Sequence, residues 1–199
     1  MLSTFTAIFD ANVFFGARLR SLIMELAQTG LFRARWTNAI HHEWMRNLAK
    51  KRGIDVERLH RTRDAMNAAV LDCLVTGYEP LIDALSLPDP DDRHVLAAAI
   101  KGNASAIVTF NEKDFPKDEL EKYGIHCVHP DDFLLDLHSL YISHFAAAIV
   151  CDLSHYKKPP ISLDSYIGDL DSAGVPKTAA QIKELAVLIE SAIVRGASD

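Results

Sequence analysis

Three short apolar runs set the architecture that this 199-residue chain can adopt. Thr4–Phe9 (TFTAIF), Ala106–Thr109 (AIVT) and Ile125–Val128 (IHCV) are too short for buried helices and rich in β-forming residues. They read as strands, the first two of them buried. Between them the apolar spacing is helical. Leu19, Leu22, Ile23 and Leu26 share one face of a helix running from about Gly16 to Gln28, with Gly30 as its stop. Arg33–Trp36 reads as a brief extended piece. Thr37 or Asn38 caps a helix that carries Ile40, Trp44 and Leu48 and ends near Gly53. A long helix is expected from Val56 to Leu74. Pro88–Asp92 opens a further helix that ends near Gly102, Phe115–Tyr123 reads as helical, and His129–Asp132 opens another. Short apolar strands alternating with helices define an α/β chain with a parallel sheet. From about residue 139 only helical periodicity remains, broken at Lys157–Pro160 and ending in a helix near Ala179–Val194. The expected organisation is an α/β domain over residues 1–138 and a helical extension over residues 139–199.

The strand ends collect carboxylates. Asp10 directly follows the first strand, and Asn111 and Asp114 follow the second. Asp92 opens the helix that leads into that second strand, so it falls at the same edge. In an open parallel sheet, ligands sit beyond the carboxyl ends of the strands. Glu43 is the acidic residue of the Thr37–Gly53 helix, among Ile40, Trp44 and Met45. Each of these has an ordinary alternative: Asp10 and Asp114 as turn or capping residues, Glu43 as a surface residue, and any two of Asp89, Asp91 and Asp92 as caps. As a set they make a different case. Four carboxylates in one cleft repel each other, and oxygen ligands of this kind suit a hard cation, Mg²⁺ or Mn²⁺.

These residues carry a resemblance. FDANVF, TNAIHHEWMRNL, DPDDRHVLAAAI and IVTFNEKDF, in that order, are similar to the motifs of PIN-domain ribonucleases, most of all the VapC toxins of toxin–antitoxin pairs. The resemblance covers about residues 5–137. It implies a PIN-like three-layer sandwich with a central, mostly parallel sheet. It also implies an acidic quartet of Asp10, Glu43, Asp92 and Asp114 that binds metal and carries catalysis, with Asp89 or Asp91 able to share the place of Asp92. Asn12, Thr109 and Asn111 would then be the supporting polar groups. The implied activity is Mg²⁺- or Mn²⁺-dependent endoribonuclease cleavage. A VapB-like antitoxin is the implied inhibitor, and a homodimer is common in such proteins. The segment beyond residue 138 looks like the helical extension of longer VapC-type proteins.

Net charge bears on the substrate. The total of −6 argues against a nucleic-acid partner only as a sum. Residues 1–63 hold 11 Lys/Arg against 5 Asp/Glu, a net of +6, and the remainder of the chain carries −12. Such a split fits either a polyanion partner or solvated helix faces. The cationic candidates for RNA binding are Arg46, Lys50, Lys51 and Arg52, with Arg33, Arg35, Arg18 and Arg20 as further sources of charge. Trp36 and Trp44 are either base-stacking platforms or core, with core favoured. His41 and His42 lack the companions of a zinc motif, and His94 reads as a bystander. Cys73, Cys127 and Cys151 read as small buried thiols, and their odd number and wide spacing fit a reducing cytosol. No apolar run reaches the ~18–20 residues of a membrane span, and no secretory signal is evident. A PIN-like module that binds without cleaving is the competing reading. A receiver- or phosphatase-like Mg²⁺ fold is a third, poorly matched by Asn12 at the second position after Asp10.

Overall fold

The computed structural model describes residues 5–196; Thr4 of the first expected strand lies outside them, as do the outermost residues of both expected domains. Four parallel strands form one sheet: β1 (Thr6–Phe9), β2 (Arg33–Arg35), β3 (Ala106–Val108) and β4 (His126–Val128), in the order β2-β1-β3-β4. Ala7 pairs with Ala34 on one side and with Ala106 on the other, and Ile107 pairs with Cys127. Every residue of β1 and β3 is buried, which explains why these strands are apolar runs without alternation. The chain turns from β1 to β2 on one side and later returns to β3 on the other. The switch point of the sheet is therefore the β1/β3 edge.

The chain divides into two compact units. The first contains the sheet and comprises the residues up to Phe15 together with Gly30–His129. Within it, α2 (Asn38–Arg52) starts where the Thr37 hydroxyl accepts the Ile40 amide at 3.1 Å and stops at Gly53, whose φ of 61° lies in the left-handed region open to glycine. The next helix, α3, is shorter than its periodicity suggests, spanning Val56–Ala69. Trp36 donates its amide to Cys73 O and accepts the Val75 amide, both at 2.9 Å, so the stretch expected to end the helix is extended instead. Glu79–Ala84 forms a 3₁₀ turn, and α4 (Arg93–Lys101) follows the 3₁₀ turn Pro90–Asp92. The helix expected over Phe115–Tyr123 reduces to α5 (Lys117–Leu120) and one 3₁₀ turn.

The second unit takes in Gly16–Thr29 and the residues from Pro130 onward. Its helices are α1 (Ala17–Gln28), α6 (Pro130–Leu140), α7 (Ile142–His155), α8 (Leu163–Ser172), α9 (Pro176–Glu184) and α10 (Ala186–Gly196). The single helix expected near Ala179–Val194 is two helices that meet at Leu185. Where the sequence suggests one boundary after His138, the units divide after His129 and again around α1. The reason is physical: α1 packs on α7 and α8, so it groups with them although it is distant in sequence, and its Leu19, Leu22, Ile23 and Leu26 are buried. An amphipathic pattern reports that a face is buried, but not by what. Asp152, wholly buried, accepts hydrogen bonds from Ser21 Oγ at 2.5 Å and Tyr166 Oη at 2.8 Å, tying α1, α7 and α8 together. Among the described residues, no single helix is long and apolar enough to cross a membrane.

Candidate metal centre

At the β1/β3 edge, Asp10 is the residue on which β1 ends. Its amide donates to Val108 O at 3.0 Å, the last rung between the two strands, and its side chain caps the 3₁₀ turn Ala11–Phe14. Both carboxylate oxygens are held. Oδ1 accepts the Ala11 amide at 2.6 Å, and Oδ2 accepts the Thr109 hydroxyl at 2.7 Å and the Asn12 side-chain amide at 2.6 Å. The Asn12 amide also donates to Thr109 Oγ1 at 2.8 Å, and Asn12 Oδ1 accepts the Phe110 amide at 3.1 Å. The Thr109 hydroxyl accepts the Asn111 amide at 3.0 Å. A closed polar ring therefore fixes the rotamer of Asp10 from both strand ends.

On β3's side, Asn111 donates its side-chain amide to Asp114 Oδ2 within the turn Glu112–Asp114. One oxygen each from Asp89, Asp92 and Asp114 lies within 4.8 Å of the others. Asp89 also accepts the Asp91 amide at 2.9 Å, which holds the 3₁₀ turn Pro90–Asp92 that sets Asp92 in place. Asp92 makes no capping hydrogen bond to α4, so its carboxylate is left to the cluster. From α2, Glu43 presents Oε2 at 3.6 Å from His94 Nε2 of α4.

Asp10, Glu43 and Asp92 line one open cleft of about 1060 Å³, together with Asn12, Asn111 and Arg46. Its electrostatics follow from this crowding. Burial raises the pKa of Asp10, which is 4% exposed; the Thr109 hydroxyl opposes the rise, and Glu43 adds to it. Asp92 is pushed from 3.8 up to about 7, by burial first and then by Asp10, Asp89, Asp114 and Glu43. The donors are all carboxylate oxygens, and their mutual repulsion is what a dication relieves. The residues fit Mg²⁺ or Mn²⁺ on both counts.

Other sequence candidates fall elsewhere. Of the cationic residues, Arg46 lines the cleft; Lys50, Lys51 and Arg52 are exposed in the last turn of α2, where cations suit the helix dipole, and are absent from the lining. The Lys51 ammonium sits 5.4 Å above the Phe15 ring. Arg18 is buried and pairs with Asp169 at 3.1 Å, so it offers no docking charge. Trp36 and Trp44 are fully buried and no base can stack on them. His41 is core too. Its Nδ1 accepts the Trp44 indole N–H, which leaves Nε2–H to donate to Asn67 Oδ1, itself accepting the Trp36 indole; burial lowers the His41 pKa to about 4. Cys73 is buried, but Cys127 is half-buried and Cys151 exposed. His94, which reads as a bystander in the sequence, stands 3.6 Å from Glu43 in the structure and lines the cleft. Its position two residues into the helix opened by Asp92 is the one signal that places it near the carboxylates.

A four-stranded parallel sheet with carboxylates gathered at its switch point defines the class. The PIN-domain family model matches residues 6–113, more than half of the chain, and the chain belongs to that family. A second model, the VapC50 C-terminal domain, matches residues 130–184. Among curated proteins, the chain is similar to "Putative ribonuclease VapC50" of Mycobacterium tuberculosis (strain ATCC 25618 / H37Rv). The two are 43% identical over 109 residues, which is 55% of this chain and 63% of that protein. The match thus spans less than two thirds of the relative. No solved structure matches the chain.

Proposed function

We propose that this chain is a Mg²⁺- or Mn²⁺-dependent endoribonuclease, the toxin of a VapBC-type pair. The observation that carries the reading is the crowding of Asp10, Glu43 and Asp92 into one cleft, with Asp92 also grouped with Asp89 and Asp114. Support also comes from family membership and from the name of the similar mycobacterial protein.

In this reading Asp10, Asp92 and Asp114 hold the cation, with Glu43 completing the acidic set and Asp89 assisting Asp92. Bound there, a divalent cation would supply a lowered pKa for water and positive charge to offset the negative phosphate oxygens. The chain's own residues do the positioning. Thr109, Asn12 and the Ala11 amide hold the Asp10 carboxylate in one orientation, so it need not reorganise during the reaction. Asn111 does the same for Asp114. Arg46 lines the cleft and gives a phosphate a cationic neighbour in a site that is otherwise acidic. Lys50, Lys51 and Arg52 extend that charge along α2 toward more distant phosphates. The proposed partners are RNA, a VapB-like antitoxin and a second copy of the chain, and the proposed setting is the cytosol. The α/β domain carries the reaction, and the C-terminal helices form an extension to it.

The test is RNA cleavage with Mg²⁺ or Mn²⁺, comparing the wild type with Asp10→Asn. Loss of cleavage with an unchanged far-UV spectrum is expected. An unchanged cleavage rate refutes the assignment, and binding without cleavage by the wild type favours a non-cleaving module.

A further inference from the structure

A second set of possible metal donors lies in the helical unit, and its chemistry differs from that of the acidic cleft. Cys151 and His155 are four residues apart on α7 and so share one face of that helix. From α1, Glu25 meets them. Its Oε1 is 3.4 Å from His155 Nδ1, and the Cys151 thiol lies beside the same carboxylate. One donor atom from each of the three lies within 4.8 Å of the others. The Glu25 side chain is only 12% exposed, whereas the imidazole of His155 is 59% exposed and Cys151 faces solvent. A carboxylate is therefore anchored in the helix packing, and a thiol and an imidazole close over it from the solvent side.

Sulfur, nitrogen and oxygen donors together select a borderline-soft cation over Mg²⁺ or Mn²⁺. Zinc bonds of ~2.0–2.3 Å in a tetrahedron put neighbouring donors about 3.3–3.7 Å apart. The Glu25–His155 spacing already meets this.

We propose that Glu25, Cys151 and His155 form a zinc-binding site with three protein donors and a fourth position open to water. On binding, the Cys151 S–H bond breaks, the sulfur's electron pair forms the bond to Zn²⁺, and the proton leaves to solvent. The carboxylate that opposes thiol ionisation in the free site becomes a fellow ligand once the cation is present. The ion would join α1 to α7, two helices separated by more than half the chain. This site shares no residue with the acidic cleft and does not depend on the proposed nuclease activity.

The experiment uses the full chain, stripped with a chelator and supplied with excess Mg²⁺ to fill oxygen-donor sites. Co²⁺ is the spectroscopic probe and Zn²⁺ the competitor. One equivalent of Co²⁺ should give a thiolate-to-cobalt charge-transfer band that Zn²⁺ bleaches. Cys151→Ser should abolish the band, and His155→Gln should weaken metal affinity by more than the ~10–100-fold that a lost second-shell partner costs. Both positions face solvent, so both variants should keep the wild-type far-UV spectrum. Asp92→Asn should leave the band intact. Zn²⁺ should raise the thermal midpoint of the wild type but not of Cys151→Ser. Absence of the band, or a band undiminished in Cys151→Ser and so due to Cys73 or Cys127, overturns the proposal. So does an equal zinc-induced rise in midpoint for both proteins.

Discussion

Replacing Asp92 with Asn should make the metal-free protein more stable while weakening its hold on a divalent cation. The side chain makes no capping hydrogen bond, so none is lost. What is lost is the repulsion that Asp10, Asp89, Asp114 and Glu43 impose on it, together with the cost of burying its charge. A rise from 3.8 to about 7 would amount to roughly 4 kcal/mol for a fully buried group. Asp92 is only half-buried, and solvent screening reduces this to about 1–2 kcal/mol. The sign follows from linkage. The folded pKa is raised, so between 3.8 and about 7 the folded chain keeps a proton that the unfolded chain has lost. Stability contributed by the protonated form is complete below 3.8 and is lost as pH rises through about 7. The gain from Asn should therefore be full at pH 8, smaller at pH 5 and absent near pH 3.5. Thermal unfolding in chelator should show the pH 8 midpoint rising by roughly 2–8 °C for a chain of this size. Added Mg²⁺ should raise the wild-type midpoint at pH 8 and raise that of the variant less. A variant less stable than the wild type at pH 8, or a gain as large at pH 5 as at pH 8, would refute the reasoning.

Other perturbations probe neighbouring parts. Thr109→Val keeps the shape of the side chain but removes the hydroxyl that serves Asp10, Asn12 and Asn111. Urea unfolding should register a loss of about 1–3 kcal/mol, with cleavage reduced and Thr109→Ser restoring most of both. For His41, the folded pKa of about 4 lies below the ordinary 6.5. Its contribution is present above 6.5 and is lost as pH falls through about 4, a decline of about 3 kcal/mol that urea midpoints should show and that His41→Phe should flatten. That variant should also be less stable at pH 7, because the Trp44 indole and Asn67 lose their partner. Arg46→Ala, made in the Asp10→Asn background, should lower the slope of log RNA affinity against log salt by about 0.7. Lys50, Lys51 and Arg52, at the end of α2, should each contribute less when changed to Glu. A larger effect per charge at these three positions than at Arg46 would move the substrate path away from the cleft.

The centre of the fold was readable because β1 and β3 are buried on both sides, which forces unbroken apolar runs with polar residues immediately beyond them. Asp10, Thr109 and Asn111 fall at those ends for the same reason. What local pattern does not encode is long-range competition for the backbone. The end of α3 is given up because Trp36 pairs with Cys73 and Val75. Local pattern also cannot divide a basic helix into the side that lines a cleft and the end that faces solvent, which separates Arg46 from Lys50–Arg52. Of Asp89, Asp91 and Asp92, the sequence favours Asp92 by its spacing to Ala99 but does not tell which of the other two assists it. The 3₁₀ turn at Pro90 sets Asp89 and Asp92 toward Asp114 and leaves Asp91 out of that group. A helix period of 3.6 aligns Cys151 with His155, but only the packing of α1 on α7 brings Glu25 to them.

The placement of α1 also constrains how the chain is made. This helix leaves the ribosome well before the helices it packs on, α7 and α8, which begin at Ile142. At synthesis rates of about 5–20 residues per second, α1 waits on the order of ten seconds for these partners. A nascent chain arrested before Ile142 should therefore leave the side of α1 that meets α7 and α8 open to chaperones and proteases, and should cover it once those helices have emerged.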